Sequence, residues 1–420
     1  MTARQYKGYW QRAGSKKEVA GVLTIEVSGK AQLEIFGSFD AEDLPIDIFD
    51  KDEKVIWGRC YDPQNNMKDI TLFDCFAAAT LNFSSNFPLI RFKCTCVLIG
   101  IHISSLSDAA FFKANIHIPA LQSWCPSDVL KIVHSDTGIS ATMSHSKNPA
   151  AAASARLDDG TTLDVIKSAS YSSDQSKAVF ERETFLQIRN DSLSVSDVLT
   201  KVRMFEDFLS IAVLSPVEHR KVVLFSEQET QMITADEKHF FPIELVSHLY
   251  YEDTGAITKP DPLFSLQDIK EEFESILIKL FSDKNILWIK NNLVASLERK
   301  RVFTSNDFLI VAQALDGFSI RYRKECQFLE QLKNLRAEFS DIKKVNLTEE
   351  DLIATRDSRD YYSHGLIPGK KKRVLDGGGL FNLTKKLRVL LICCFLNYFG
   401  IKNIRIDSLL NQCNSHYLRV

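Results

Sequence analysis

Hydrophobic and polar positions change their rhythm along this chain, and the change divides it into regions. Near the N-terminus the period is two. Residues 21–27 are rich in β-branched side chains, and residues 31–37 alternate apolar with polar. Each predicts a strand with one buried face. Ser28-Gly29-Lys30 between them has turn chemistry, so the stretch predicts a hairpin. Further strand-like runs lie at 54–60, 69–73, 92–103 and 113–118, and turn clusters such as Asp62-Pro63-Gln64-Asn65-Asn66 separate some of them. Short strands at this spacing predict a sandwich or a curled antiparallel sheet over residues 1–125.

Residues 126–262 are mixed. Pro149 and the alanine run 150–153 predict a surface loop over 144–154, and 157–162 reads as a turn. Strand patterns cover 179–188 and 221–232. Between them, Val198, Val202, Phe205, Leu209 and Ala212 fall at helical spacing and predict a helix over 196–214. Ser196 is its expected N-cap and Pro216 its stop. Two prolines, a glycine and several charges mark 251–262 as a linker.

From residue 263 to 420 the period is helical. Ser265 with Asp268, Thr304 with Asp307 and Thr348 with Asp351 repeat one signature, a capping-box pair between flanking apolar residues. The first helix places Ile269, Phe273, Ile276, Leu277 and Leu280 on one face. A second, after Thr304, uses Leu309, Ala312, Leu315, Phe318 and Tyr322, and the last spans 384–398. The fold class is therefore α+β, a β-rich N-terminal region followed by an all-α bundle of four or more helices.

Composition narrows the function classes. With 420 residues, 45% hydrophobic and 25% charged, the chain describes an ordinary globular protein of two or three domains. The first thirty residues lack a basic-then-apolar signal pattern, and the apolar run 389–396 is too short to cross a bilayer. Nine cysteines without a repeating framework point to a reducing, cytoplasmic setting with no membrane. Cys94 and Cys96 have no matching second pair, so no metal is expected. Asp376-Gly377-Gly378-Gly379 lacks a following Gly-Lys-Ser/Thr and reads as a flexible connection, so no nucleotide cofactor is expected either.

The formal net charge of −2 hides an asymmetry. Residues 265–420 carry 26 Lys and Arg against 19 Asp and Glu, whereas the preceding part carries 26 against 35. A basic module joined to an acidic one suits a polyanion partner on one side and a different partner on the other.

The candidate chemistry sits on the helix after Thr348, which Gly365 terminates: Thr355-Arg356-Asp357-Ser358-Arg359-Asp360-Tyr361-Tyr362-Ser363-His364-Gly365. Arg359 and His364 are five apart, so on an ideal helix they differ by roughly 140° in direction and about 7.5 Å in rise. They do not form a pair on one face. Asp360 is four residues from both Arg356 and His364, a spacing that lets it brace the imidazole. A basic tract, Lys370, Lys371, Lys372 and Arg373, follows, with Lys385, Lys386 and Arg388 beyond, offering phosphate contacts or simply a solvated face. On spacing alone the Arg and Asp residues also read as surface salt bridges.

Arg359-Asp360-Tyr361-Tyr362-Ser363-His364, late in a helical bundle, resembles the motif of HEPN ribonucleases, an Arg followed by a polar residue and by a His several positions on. The His-Gly ending resembles the HEPN domain of ApeA-like proteins in particular. Residues 21–24, 33–39, 69–73 and 96–100 resemble strand segments of the ApeA N-terminal region, and Leu121-Gln122-Ser123-Trp124 its closing segment. The resemblance implies metal-independent RNA cleavage to a 2′,3′-cyclic phosphate and a 5′-OH, as the effector of bacterial anti-phage abortive infection. It implies His364 as general acid or base, Arg359 as the stabiliser of phosphoryl charge and Asp360 as their orienting partner. Arg356, Tyr362, Lys370, Lys371, Lys372 and Arg373 would meet the RNA, with tRNA among the substrates that fit. A homodimer through the HEPN domain and a phage protein acting as trigger on the N-terminal region complete that expectation. The alternative is a non-catalytic HEPN module for dimerisation or RNA binding. A carbohydrate-binding β protein, a third reading, lacks acids paired by motif.

Overall fold

The computed structural model describes residues 3–39, 52–77, 89–135, 138–143, 149–173, 178–234, 238–247, 261–297, 302–324, 327–367 and 369–418. Strands β1 (Arg4–Arg12), β2 (Val19–Ile25), β3 (Ala31–Phe36), β4 (Glu53–Tyr61), β5 (Met67–Ala77), β6 (Leu89–Ile99) and β7 (Phe111–His117) come first. Helix α1 (Leu121–Trp124) leads to β8 (Leu130–Ser135), β9 (Gly138–Met143), β10 (Ala151–Arg156), β11 (Thr162–Ser173) and β12 (Ala178–Leu193). Next are α2 (Val195–Val213), β13 (Lys221–Phe225), β14 (Thr230–Met232), β15 (Lys238–Phe240) and β16 (Ile243–Ser247). The remainder is helical: α3 (Phe273–Ser282), α4 (Lys284–Ser296), α5 (Ser305–Arg323), α6 (Phe328–Glu338), α7 (Glu349–His364), α8 (Gly377–Tyr398) and α9 (Asn403–Gln412). The chain divides into two compact units: residues 1–118, 185–202 and 218–256, and residues 119–184, 203–217 and 257–420.

Unit one is built on a closed sheet. β1 pairs with β2 and β4, β2 with β3, β3 with β6, β4 with β5, and β5 returns to β6. Six antiparallel strands thus form a barrel, the curled form of the two that the strand spacing allows. β16 adds to β6, β13 to β16 and β7 to β13. Alternation explains the interior: Val19, Leu23 and Ile25 of β2 and Ala31, Leu33 and Ile35 of β3 all point into one core. Trp10, fully buried, fills it because its register partner on β4 is Gly58. A Cβ on Gly58 would lie 2.3 Å from the indole ring. The hairpin turn is as read, with Gly29 at φ 80° and Glu26 N–H donating to the Lys30 carbonyl. His102 stacks on Trp57, with its Nε2 3.0 Å from the Gly58 carbonyl oxygen.

Unit two contains α3 to α9. α8 is its axis, because every residue from Leu387 to Leu396 is buried. A helix apolar on all sides has to lie inside the fold. Ile269, Phe273, Ile276, Leu277 and Leu280 are all buried, as are Ala312, Leu315 and Phe318. On α5 the inward position is Phe308 rather than Leu309, a shift of one residue in where the apolar stripe begins.

Several expectations are corrected. Residues 151–154 of the expected loop belong to β10, because pairing with β11 outweighs the low strand propensity of the alanines. Residues 221–232 are two strands, β13 and β14, separated by a turn in which Glu229 N–H donates to the Ser226 carbonyl. The cap of α2 is Ser194 rather than Ser196: Ser194 and Asp197 exchange hydrogen bonds of 2.6–3.1 Å. Ser265 and Asp268 do pair at 2.7 Å, yet the turn they open is 3₁₀ (Gln267–Ile269) and α3 begins only at Phe273. Gly377-Gly378-Gly379 is the first turn of α8, so that helix starts seven residues before the expected 384. Residues 144–148 of the expected loop and 251–260 of the expected linker lie outside the described residues.

Candidate functional site

α7 is fixed at both ends. Thr348 accepts from Asp351 N–H at 3.1 Å, and Asp351 accepts from Thr348 N–H at 2.8 Å, the reciprocal capping box. Lys386 of α8 donates to the same Asp351 oxygen at 2.8 Å. Burial pushes the Asp351 carboxyl up, but Lys386 and the Thr348 donors outweigh it and hold the pKa below its usual value. At the other end Gly365 takes left-handed φ and ψ of 56° and 41°, and Leu366 N–H donates to the Tyr361 carbonyl at 3.2 Å. The inward face is Leu352, Thr355 and Ser358, at i, i+3 and i+6.

On the outer flank, three helices meet around Arg359. Its Nη2 donates to Asp316 Oδ2 of α5 at 2.6 Å, and Nη1 donates to Asp360 Oδ1 at 3.4 Å. The guanidinium carbon lies 5.0 Å from the centre of the Phe328 ring on α6. Phe328 and Asp316 lie 31 and 43 residues before Arg359 in sequence, and nothing local marks either. They are the site residues that sequence patterns missed, since only the packing of α5 and α6 on α7 brings them there.

Asp360 does not brace His364. Its second oxygen accepts from Lys371 Nζ at 2.8 Å, so both oxygens are committed to cations. Burial raises the Asp360 carboxyl, but the bonds and charges of Lys371 and Arg359 outweigh it and hold it below the usual carboxylate value. His364 is exposed, the last residue of α7, with no hydrogen-bond partner among the described residues. Arg356 bonds its sequence neighbour Asp357 at 2.7 and 2.9 Å instead of Asp360.

The basic tract folds back along α7. Arg373 N–H donates to Asp357 Oδ2 at 3.3 Å, and Leu375 N–H to Ser358 Oγ at 3.0 Å. The Tyr362 hydroxyl donates to the Leu375 carbonyl at 2.9 Å, while its ring meets Phe308 and Tyr361 edge-on. Tyr362 therefore anchors the returning segment. Lys371 is drawn onto the motif through Asp360, Arg373 lies 4.0 Å from Glu350, and Lys370 and Lys372 are exposed. Among the described residues no group of three or more His, Cys, Asp or Glu is placed to hold a metal ion.

One unit carries a six-strand closed sheet, and the helical unit carries an Arg and a terminal His on one capped helix. The family model described as ApeA N-terminal domain 1 matches residues 5–280, and that described as Apea-like HEPN matches residues 258–403. The chain belongs to the ApeA family, which bears out the resemblance carried by its strand segments and its Arg–His motif. No curated protein and no solved structure matches it. No helix among the described residues is long and apolar enough to cross a membrane.

Proposed function

We propose that this protein is a HEPN-type endoribonuclease, the effector of a bacterial anti-phage defence that acts by abortive infection. The observation that carries the reading is α7 itself. Inside the region matched by the Apea-like HEPN family, a braced Arg359 and an exposed His364, with no hydrogen-bond partner among the described residues, share one capped helix.

In this reading the substrate's own 2′-OH attacks the adjacent phosphorus and expels the 5′-oxygen, giving a 2′,3′-cyclic phosphate and a 5′-OH. His364 moves the proton, a role for which a solvent-facing imidazole is suited. Arg359 neutralises the charge that develops on the phosphoryl oxygens. Asp360 acts through Arg359 and Lys371 rather than through the imidazole. Exposed Lys370 and Lys372 contact the RNA backbone, and Tyr362 supports the segment that carries them. Two copies pair through their HEPN domains, and the β-rich part receives the trigger, a phage protein. The protein works in the cytoplasm.

The test is RNA cleavage by the purified protein, and growth arrest on induction, for wild type, R359A and H364A. Loss of both activities in each variant, with cleavage unaffected by EDTA and cyclic-phosphate ends on the products, is the expected result. Wild-type cleavage by either variant, or abolition by EDTA, overturns the mechanism. RNA binding without cleavage by the wild type favours the non-catalytic alternative.

A further inference from the structure

We propose that Asp316 is the residue that positions Arg359 for phosphate contact, an inference that rests on the ribonuclease reading above. The guanidinium is held from three helices: by Asp316 of α5 at 2.6 Å, by Asp360 of α7 at 3.4 Å and by the Phe328 face of α6 at 5.0 Å. Asp316 makes the shorter of its two ion pairs, and its side chain is only 15% exposed.

The backbone behind Asp316 is rigid. Its neighbours Leu315, Phe318 and Ser319 are buried, so the carboxylate stands on a helix that is itself locked into the core. An arginine side chain has many rotamers, and a charge-assisted bond to a fixed carboxylate selects among them before substrate arrives. An arginine has five N–H donors. The two bonds to Asp316 and Asp360 use one on Nη1 and one on Nη2, leaving donors for phosphate oxygens without displacing either acid.

Charge separates positioning from simple attraction. Asp316 is an anion beside the place where an anionic phosphate would bind, so it does not add affinity. Lys371 donates to Asp360 and offsets its charge. A residue that costs a little affinity and fixes geometry acts on kcat rather than KM. A bond whose only task is stability would leave both constants unchanged in any variant that folds.

The experiment measures single-turnover and steady-state cleavage of a defined RNA by wild type, R359A, D316A and D316N, each first checked by circular dichroism and thermal melting. The asparagine keeps a carbonyl oxygen for Nη2. D316A is expected to lower kcat by roughly tenfold to a hundredfold with KM unchanged or lower. D316N should restore kcat to within a few-fold of wild type. If D316A fails to fold, D316S, whose shorter side chain falls out of reach, takes its place. Wild-type kcat in a folded D316A beside an inactive R359A overturns the inference while leaving the ribonuclease reading intact, and so does a raised kcat or a change in KM alone. Wild-type protein that cuts no RNA, or an R359A variant that cuts normally, ends both.

Discussion

Asp360 shows how much a single carboxylate is set by its neighbours. It loses solvation on burial and regains more from Lys371 and Arg359, so its folded pKa lies below the unfolded value of 3.8. A depressed carboxyl contributes stability that is present above the unfolded pKa and disappears as pH falls through the folded one. D360N is therefore expected to be less stable than wild type at pH 7. That difference should shrink once the pH drops below 3.8, as read by urea denaturation at a series of pH values. In the barrel, Trp10 and Gly58 are a lock of another kind, because one ring occupies the space that any other side chain would need. G58A should lower stability by about 1–3 kcal/mol through overpacking, measured by chemical denaturation.

Elements obey their own rules. The two capping boxes at Thr304 and Thr348 start helices where the Ser/Thr-x-x-Asp spacing says they will, since those bonds are local. Other contacts between elements are invisible locally. Lys290 of α4 is 2% exposed, and its ammonium lies 2.5 Å from Asp207 of α2 and 3.1 Å from Met204 Sδ. Removing one partner leaves a buried charge unpaired, so D207A should cost about 3–5 kcal/mol. Replacing both, as in D207L with K290M, should cost far less, and a double-mutant cycle on urea midpoints would show the difference. A loss in the double variant equal to the sum of the separate D207L and K290M losses would mean that the pair carries no coupling.

At the scale of the whole molecule, the charge asymmetry has structural content. The excess of basic residues belongs to the region after residue 264, and part of it lies along α7 because Asp357, Ser358 and Tyr362 bind the returning segment. Affinity for RNA should therefore fall steeply with salt. K370A combined with K372A should weaken binding for any RNA sequence and reduce the slope of log affinity against log salt by about 2. Fluorescence anisotropy at several salt concentrations measures it, and an unchanged slope would assign both lysines to solvent.

Period and punctuation alone determined the division into a β-rich N-terminal region and a helical C-terminal one, the capped start and glycine end of α7, and the Arg–His motif on it. Each is written in residues fewer than about eight apart, where backbone geometry dictates who meets whom. Closure of the barrel, the early start of α8 and the conversion of an alanine run into β10 were decided by pairing and packing with distant segments. The site divides in the same way. Arg359 and His364 were legible as a motif because its spacing is local. The company they keep was not. Asp360 turns to Lys371 and Arg359 rather than to His364, and Asp316 and Phe328 reach Arg359 only because α5 and α6 fold onto α7. Side-chain partners across helices depend on interaxial packing, and no spacing along one chain encodes that.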